Sequence, residues 1–301
     1  MGAVKLLSTS SSPRKRGPSW LRLLVRIWVP AFAGMTIAGC SSGPPANTGH
    51  GSRPTLVSLN PCSDEVLAEV ADPGQLLAIS HFSLDPSASS MGVEKARRYA
   101  VTSGSVEEIL ALAPDVVVAD EYVPAASRAA LEQLGIRLVS LPIARSVAQS
   151  REQVGELARL AGHPERGRAL DARIKRALEN AAPEPGARPV SAVVWQGGGI
   201  VPGGDTLIAD LLRRTGFASL SASRGMRQAD VLPLEQLLAD PPRLILAAGD
   251  PRASEDRMLS HPALEALAGT RRERFDRSLL WCGGPTIIRA AQRLADIRRS
   301  L

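Results

Sequence analysis

Short apolar runs alternate with stretches of helical spacing along most of the chain. "TLVSLN" (55–60), "QLLAIS" (75–80), "VVVAD" (116–120) and "RLVSLP" (137–142) have the length and β-branched content of buried strands. Between them "CSDEVLAEVA" (62–71), "VEEILALA" (106–113) and "PAASRAALEQLG" (124–135) repeat apolar positions at helical spacing, the last opening on Pro and closing on Gly. No strand-like run occurs over 146–182. There "SVAQSREQVGELARLAG" and "HPERGRALDARIKRALENAA" predict two helices, the second over 163–182 with Pro164 in its first turn. Alternation then resumes with the strand "PVSAVVWQ" (189–196), a loop "GGGIVPGG" and the helix "DTLIADLLRRTG" closing at Gly216. The helix "LPLEQLLAD", the strand "RLILAAG", the helix "HPALEAL", a strand "SLLWCGG" (278–284) and a closing helix from Pro285 complete the chain. Strands apolar on both sides, separated by helices, predict parallel sheets covered on both faces. The organisation is therefore two α/β lobes on either side of a helical stretch.

One phrase occurs once in each half. "EEILALAPDVVVAD" begins at Glu107 and "EQLLADPPRLILAAGD" at Glu235, and both run from short helix through a proline break to a buried strand. Leu110/Leu238, Ala111/Ala239, Pro114/Pro242 and Ala119/Ala247 match at the same offset of 128 residues as the two glutamates. A helix-start glutamate is favourable beside the positive end of the helix dipole. That explains the residue type but not its duplication.

Composition narrows the partners. The chain has 301 residues, 44% hydrophobic, enough for one or two packed domains. Its net charge of +6 comes from residues 1–39, which hold Lys5, Arg14, Lys15, Arg16, Arg22 and Arg26 and no acid. Without these six, 30 basic residues face 30 acidic ones, so the remainder has no overall basic field for nucleic acid. The basic stretch runs into an apolar segment at 27–39, too short to span a bilayer, which takes about 20 residues. It has the form of an export signal. Ile37-Ala38-Gly39-Cys40 resembles a bacterial lipobox, which makes Cys40 the expected lipidation site and places the protein in the periplasm, anchored to a membrane by lipid. "SSGPPANTGHGSRP" after it reads as a flexible tether. The expected segments are a signal at 1–39, a tether at 40–53, an N-terminal lobe at 54–145, a helical bridge at 146–186 and a C-terminal lobe at 187–301. An oxidising compartment permits a disulfide between Cys62 and Cys282, but the sequence leaves open whether they meet. The four histidines are scattered and give no metal-site spacing.

Ligands of open α/β sheets bind beyond the carboxyl ends of strands. Asn60, Pro61, Cys62 and Ser63 follow the first predicted strand; His81 and Phe82 follow the second; Asp120, Glu121 and Tyr122 follow "VVVA". In the second half Trp195 and Gln196 end one strand, Asp250 follows another, and Trp281 and Cys282 end the last. Arg224 and Arg227 stand in a loop expected at the cleft edge, where they would pair with an anionic ligand. Aromatic residues form only 3% of the chain, yet Phe82, Tyr122, Trp195 and Trp281 all fall at these ends. A flat aromatic wall suits a macrocycle or catechol. The competing reading of Trp195 and Trp281 is core packing at strand termini. His81 is a candidate axial ligand to the ligand's own metal, against the commoner role of a satisfied polar residue.

"VSLNPCSDEVLAEV", "SVEEILALAPDVVVAD", "LPLEQLLADPPRLILAAG" and the closing "IIRAAQRL" together resemble the substrate-binding proteins of ABC importers for vitamin B12 and ferric siderophores. The likeness covers about residues 54–300. It implies an α/β fold of two Rossmann-like lobes with parallel sheets, joined by a long bridging α-helix, with the ligand cleft between them. It also implies capture of a metal chelate, a ferric siderophore or a corrinoid, and delivery to a two-fold permease with its ATPase. Glu107 and Glu235 match the family's permease-docking glutamates, since a two-fold partner calls for the same feature on each lobe. The expected state is a monomer with no resident cofactor, iron or cobalt arriving in the ligand. The family's B12-contacting aromatics are not matched residue for residue: Asp120 stands where one would be, and "WCGGP" is shorter than the corresponding loop. An enzyme is disfavoured, because "QGGGIVPGG" places Pro202 where a dinucleotide fingerprint needs its third glycine. A zinc- or manganese-type importer subunit and a non-transport surface lipoprotein are the alternatives.

Overall fold

The computed structural model describes residues 53–249 and 261–301. The signal segment, Cys40, the tether up to residue 52 and Asp250 lie outside the described residues. The first half comprises β1 (Leu56–Ser58), α1 (Pro61–Val70), β2 (Leu76–Ser80), α2 (Val93–Ala96), β3 (Val101–Thr102), α3 (Val106–Leu112), β4 (Val116–Asp120), α4 (Ala125–Gln133) and β5 (Arg137–Leu141). Two helices follow, α5 (Val147–Leu160) and α6 (Pro164–Ala181). The second half comprises β6 (Val190–Gln196), β7 (Ile200–Pro202), α7 (Leu207–Arg214), β8 (Phe217–Ser219), α8 (Leu220–Ser223), β9 (Ala229–Val231), α9 (Leu234–Ala239), β10 (Leu244–Ala248), α10 (Pro262–Glu265), β11 (Arg271–Arg274) and α11 (Pro285–Arg299).

Each half builds one parallel sheet. The first has the order β3-β2-β1-β4-β5 and the second β11-β10-β6-β8. With β1 matched to β6, β2 to β8, β4 to β10 and β5 to β11, the two orders are the same. The duplicated phrase is the α3–β4 unit in one lobe and the α9–β10 unit in the other, each strand sitting beside the first strand of its lobe. Because helices cover both faces, β4 and β10 are almost wholly buried, which explains their unbroken apolar sequence. The crossing between lobes is made by both α5 and α6. α6 has 18 residues, about 27 Å at 1.5 Å per residue, and packs on α5 and α11. Asp72 holds its first turn, accepting from Arg166 at 2.6 Å and lying 2.8 Å from His163 Nε2.

The two lobes meet at α1 and the start of α11. Asn60 caps α1 by accepting the Cys62 N–H at 2.8 Å, with Pro61 at the first helical position where no N–H is needed. Cys62 is joined to Cys282 by a disulfide, Cα to Cα 5.0 Å, across 220 residues of chain. One turn further, the buried Glu65 accepts from the Thr286 hydroxyl at 2.5 Å and from Arg289 at 2.9 Å. Gly283 and Gly284 make the approach close enough. A Cβ at Gly283 would stand 2.1 Å from Ser150 Oγ, and one at Gly284 would stand 2.6 Å from Val66, at a φ of +56° that favours glycine.

Two elements differ from the sequence pattern. "SLLWCGG" is not a strand: Arg277–Leu279 is a 3₁₀ turn, and the edge strand is the charged Arg271–Arg274. An edge strand is only half covered, so polar residues serve there, while the apolar "LLWC" is used to pack the junction. Within the glycine loop, β7 pairs antiparallel with β9 to form a separate two-stranded ribbon. Among the described residues no helix is long and apolar enough to cross a membrane.

Two stability outcomes follow from the junction and its surroundings. Replacing Cys62 and Cys282 together by Ser should lower the unfolding free energy by about 3–5 kcal/mol, given the length of chain closed. A urea midpoint equal to the wild type would contradict this. Asp64, wholly buried beside them, accepts from the Ser80 N–H at 3.0 Å and the Ser83 hydroxyl at 2.7 Å. Burial pushes its carboxyl up to about 8, against the lowering pull of bonds from Ser58, Ser83 and Ser80. An unfolded Asp titrates near about 3.9. Its proton therefore stabilises the fold fully below that value, and the contribution is lost as pH rises through about 8. Denaturation midpoints should fall between about pH 4 and 8 and level off above, and Asp64→Asn should flatten the fall; an unchanged slope in the variant would reject the assignment.

Candidate functional site

The carboxyl ends of both sheets open onto one cleft containing two adjoining cavities. The first, about 250 Å³, is lined by Asn60, Cys62 and Ser63 after β1, Asp120 and Tyr122 at the end of β4, and Pro142–Ala144 after β5. Val66, Leu157, Gly283 and Gly284 close it at the lobe junction. The second, about 200 Å³, is lined from the second lobe by Gln196, Pro202, Asp205 to Ile208 and Gln228, and from the first by Arg145. Tyr122, Ile143, Ala144 and Trp281 line both, so the cavities form a single trough. Tyr122 is 69% exposed, Ile143 56% and Trp281 42%, which leaves a large apolar surface uncovered along the trough.

The polar groups are held by short bonds. Asp120 accepts from Asn60 Nδ2 at 2.9 Å and from the Tyr122 N–H at 2.9 Å. The first bond ties the end of β1 to the end of β4; the second turns Tyr122 out of the strand. Asp205 is paired with Arg227 at 2.7 Å. Arg145 makes no ion pair with a described residue, and its backbone N–H is held by Gln149 Oε1 at 2.8 Å. Among the described residues no three His, Cys, Asp or Glu side chains come together as a metal cluster.

The site residues expected from sequence divide into two groups. Asn60, Cys62, Tyr122, Gln196 and Trp281 line the trough, and Arg227 stands at its edge through Asp205. Trp195 does not: it is wholly buried in a core cluster with Val193, Val201, Leu220 and Ile245, because the inward face of β6 needs a large apolar group. Arg224 is also directed elsewhere, donating to Gln236 O, Asp240 O and the Asp240 carboxylate at the end of α9. His81 and Phe82 stack at 4.1 Å on an exposed 3₁₀ turn and line neither cavity; His81 Nδ1 is 3.2 Å from Thr102 O. Glu107 and Glu235 are both exposed, each the second residue of its helix, and neither makes a side-chain hydrogen bond or ion pair with a described residue. Ile143 and Arg145 also line the trough, beyond the residues expected from sequence. They follow β5, and the strand-end rule applied to "RLVSLP" would have found them.

The profile of the family described as periplasmic binding protein matches residues 56–275. Among curated proteins none matches the sequence significantly. Solved structures share the fold. The periplasmic heme-binding protein HutB of Vibrio cholerae superposes with a TM-score of 0.67 at 15% identity, covering 81% of this chain and 98% of its own. The vitamin B12-binding protein BtuF of Vibrio cholerae gives 0.63 at 16% identity, covering 82% and 98%. The apo form of the heme-binding protein RhuT of Roseiflexus sp. RS-1 gives 0.62 at 20% identity, covering 83% and 98%.

Residues 46–301 contain only two tryptophans, Trp195 and Trp281. Acrylamide should quench Trp281 and spare the buried Trp195, so Trp281→Phe removes nearly all collisional quenching. Equal quenching in Trp281→Phe and wild type would mean that Trp195 is reached by solvent.

Proposed function

The chain belongs to the periplasmic binding protein family, and from that premise we propose that it is the solute-binding subunit of an ABC importer for a metal chelate. The chelate is a ferric siderophore or a corrinoid, and it is captured in the inter-lobe trough and delivered to a two-fold permease with its ATPase. The observation that carries this reading is the trough itself: an apolar groove at the carboxyl ends of two sheets, flanked by the exposed rings of Tyr122 and Trp281. Such a surface buries a flat, rigid ligand by area and stacking. The fold neighbours named for heme and vitamin B12 add support at the level of ligand type. The subunit performs no covalent chemistry.

Delivery follows from the internal repeat. Two exposed glutamates without an ion pair to a described residue, at equivalent positions of pseudo-equivalent lobes, offer a two-fold partner the same contact twice. Charge pairs of this kind set orientation and encounter rate more than affinity. Lipidation at Cys40 would keep the protein at the membrane surface, with the stretch up to residue 53 as its tether.

Titration of residues 46–301 with cyanocobalamin and a panel of ferric siderophores tests the capture step. Saturable quenching of Trp281 fluorescence, corrected for ligand absorbance, is expected at micromolar concentration or below for one class. No response to any of them would reject the chelate reading. Glu107→Ala with Glu235→Ala should abolish uptake in cells while leaving that affinity unchanged; persistent uptake would remove the docking assignment.

A further inference from the structure

Charge is distributed unevenly along the trough. In the first cavity, closed below by the lobe junction, Asp120 is the charged lining residue and no cation accompanies it. Its two bonds, from Asn60 and from the Tyr122 N–H, leave carboxylate lone pairs for a further donor. Of the other polar side chains there, Ser63 Oγ donates to Asn60 O at 2.9 Å, Ser150 Oγ accepts from the Gly284 N–H at 2.7 Å, and Gln153 donates to Pro142 O at 2.6 Å, which leaves its amide oxygen, with the Tyr122 hydroxyl, for a ligand. In the second cavity Asp205 is neutralised by Arg227 at 2.7 Å, while Arg145 lacks an ion-pair partner among the described residues. The neutral Gln196, Thr206 and Gln228 complete that end. The stretch of Tyr122, Ile143 and Trp281 separates an end whose charged group is Asp120 from an end whose uncompensated charge is Arg145.

We infer that the trough selects a chelate carrying neutral, hydrogen-bond-donating arms at one end and a single anionic group at the other, with Asp120 receiving the donors and Arg145 the anion. This rests on the chelate-binding reading above and narrows it. A chelate anionic all round, such as a ferric tris-catecholate, would set like charge against Asp120 in a groove that excludes much of the water. A planar chelate with two carboxylates on one edge and only hydrocarbon on the other would satisfy Arg145 but leave Asp120 without a donor. Primary amides are the neutral donors that match Asp120 and Gln153, and a phosphodiester or lone carboxylate matches the guanidinium of Arg145. A corrin ring bearing amide arms and one nucleotide-loop phosphate has this distribution.

Four probes with the full mature chain test the assignment: cyanocobalamin, dicyanocobinamide (which lacks the phosphate), hemin and ferric tris-catechol. Cyanocobalamin should bind tightest. Arg145→Gln should weaken it about tenfold while changing dicyanocobinamide less than about twofold, and Arg145→Lys should recover most of the loss. Asp120→Asn should weaken both corrinoids alike and improve hemin and ferric tris-catechol, a change of sign that a purely structural role for Asp120 would not produce. Saturable binding of ferric tris-catechol without binding of cyanocobalamin would overturn the inference and leave the chelate reading standing; binding of hemin alone would overturn the inference and contradict that reading. Equal losses for both corrinoids in Arg145→Gln would also overturn it, because the phosphate would not be the group that Arg145 meets. Silence from all four probes would overturn the inference, and silence from the siderophore panel as well would remove the reading it rests on.

Discussion

The junction between α1 and α11 sets the spacing of the two sheets, and the cleft takes its shape from that spacing. A covalent bond, Cys62 to Cys282, and one turn later a buried carboxylate, Glu65, hold the two helices together. A buried charge is costly unless its bonds are complete. Glu65 meets the condition through the Thr286 hydroxyl and Arg289, which itself donates to Ser90 O at 2.6 Å. The two glycines before α11 let backbone approach α1 and α5 without a side chain between them. The floor of the first cavity is this same contact: Cys62, Ser63, Val66, Gly283 and Gly284 are at once junction and lining. Trp281, the residue before the disulfide cysteine, is thereby fixed at the cleft edge. A binding surface formed in this way exists before the ligand arrives, which lowers the ordering cost of capture.

The internal repeat puts an exposed glutamate and a cleft-facing strand end at opposite ends of the same units. α3 and α9 carry the exposed glutamates at their starts, and the strands that follow them, β4 and β10, run up to the cleft. At the end of β4, Asp120 and Tyr122 line the trough; beside the end of β10, Gln196 does. A pseudo-symmetric pair of lobes thus presents near-equivalent outer surfaces, while the cleft between them is free to be asymmetric. Its charge gradient from Asp120 to Arg145 is that asymmetry.

Most of the fold could be read from the sequence because parallel, doubly covered strands must be apolar throughout. "VVVAD" and "RLILAAG" fit that requirement, and β4 and β10 are where the pattern put them. The rule failed where coverage is partial: β11 is a charged edge strand, and the apolar "LLWC" packs the junction as a turn. The site was legible only as far as strand ends are. Asn60, Tyr122 and Gln196 follow from that rule; Trp281 lines the trough from a turn rather than a strand end, and Trp195 shows the rule's limit, since the direction of one side chain at a strand terminus decides between core and cleft. The pairing of Cys62 with Cys282 depends on two lobes meeting across 220 residues, which no local pattern encodes.

The most direct measurement is hydrogen–deuterium exchange of the mature chain with and without saturating cyanocobalamin. A trough formed in advance on a fixed junction predicts slower exchange in residues 119–123, 141–146 and 280–284, with amides of 62–70 and 286–295 unchanged. Altered exchange throughout the junction, or protection confined to surfaces away from the strand ends, would contradict it.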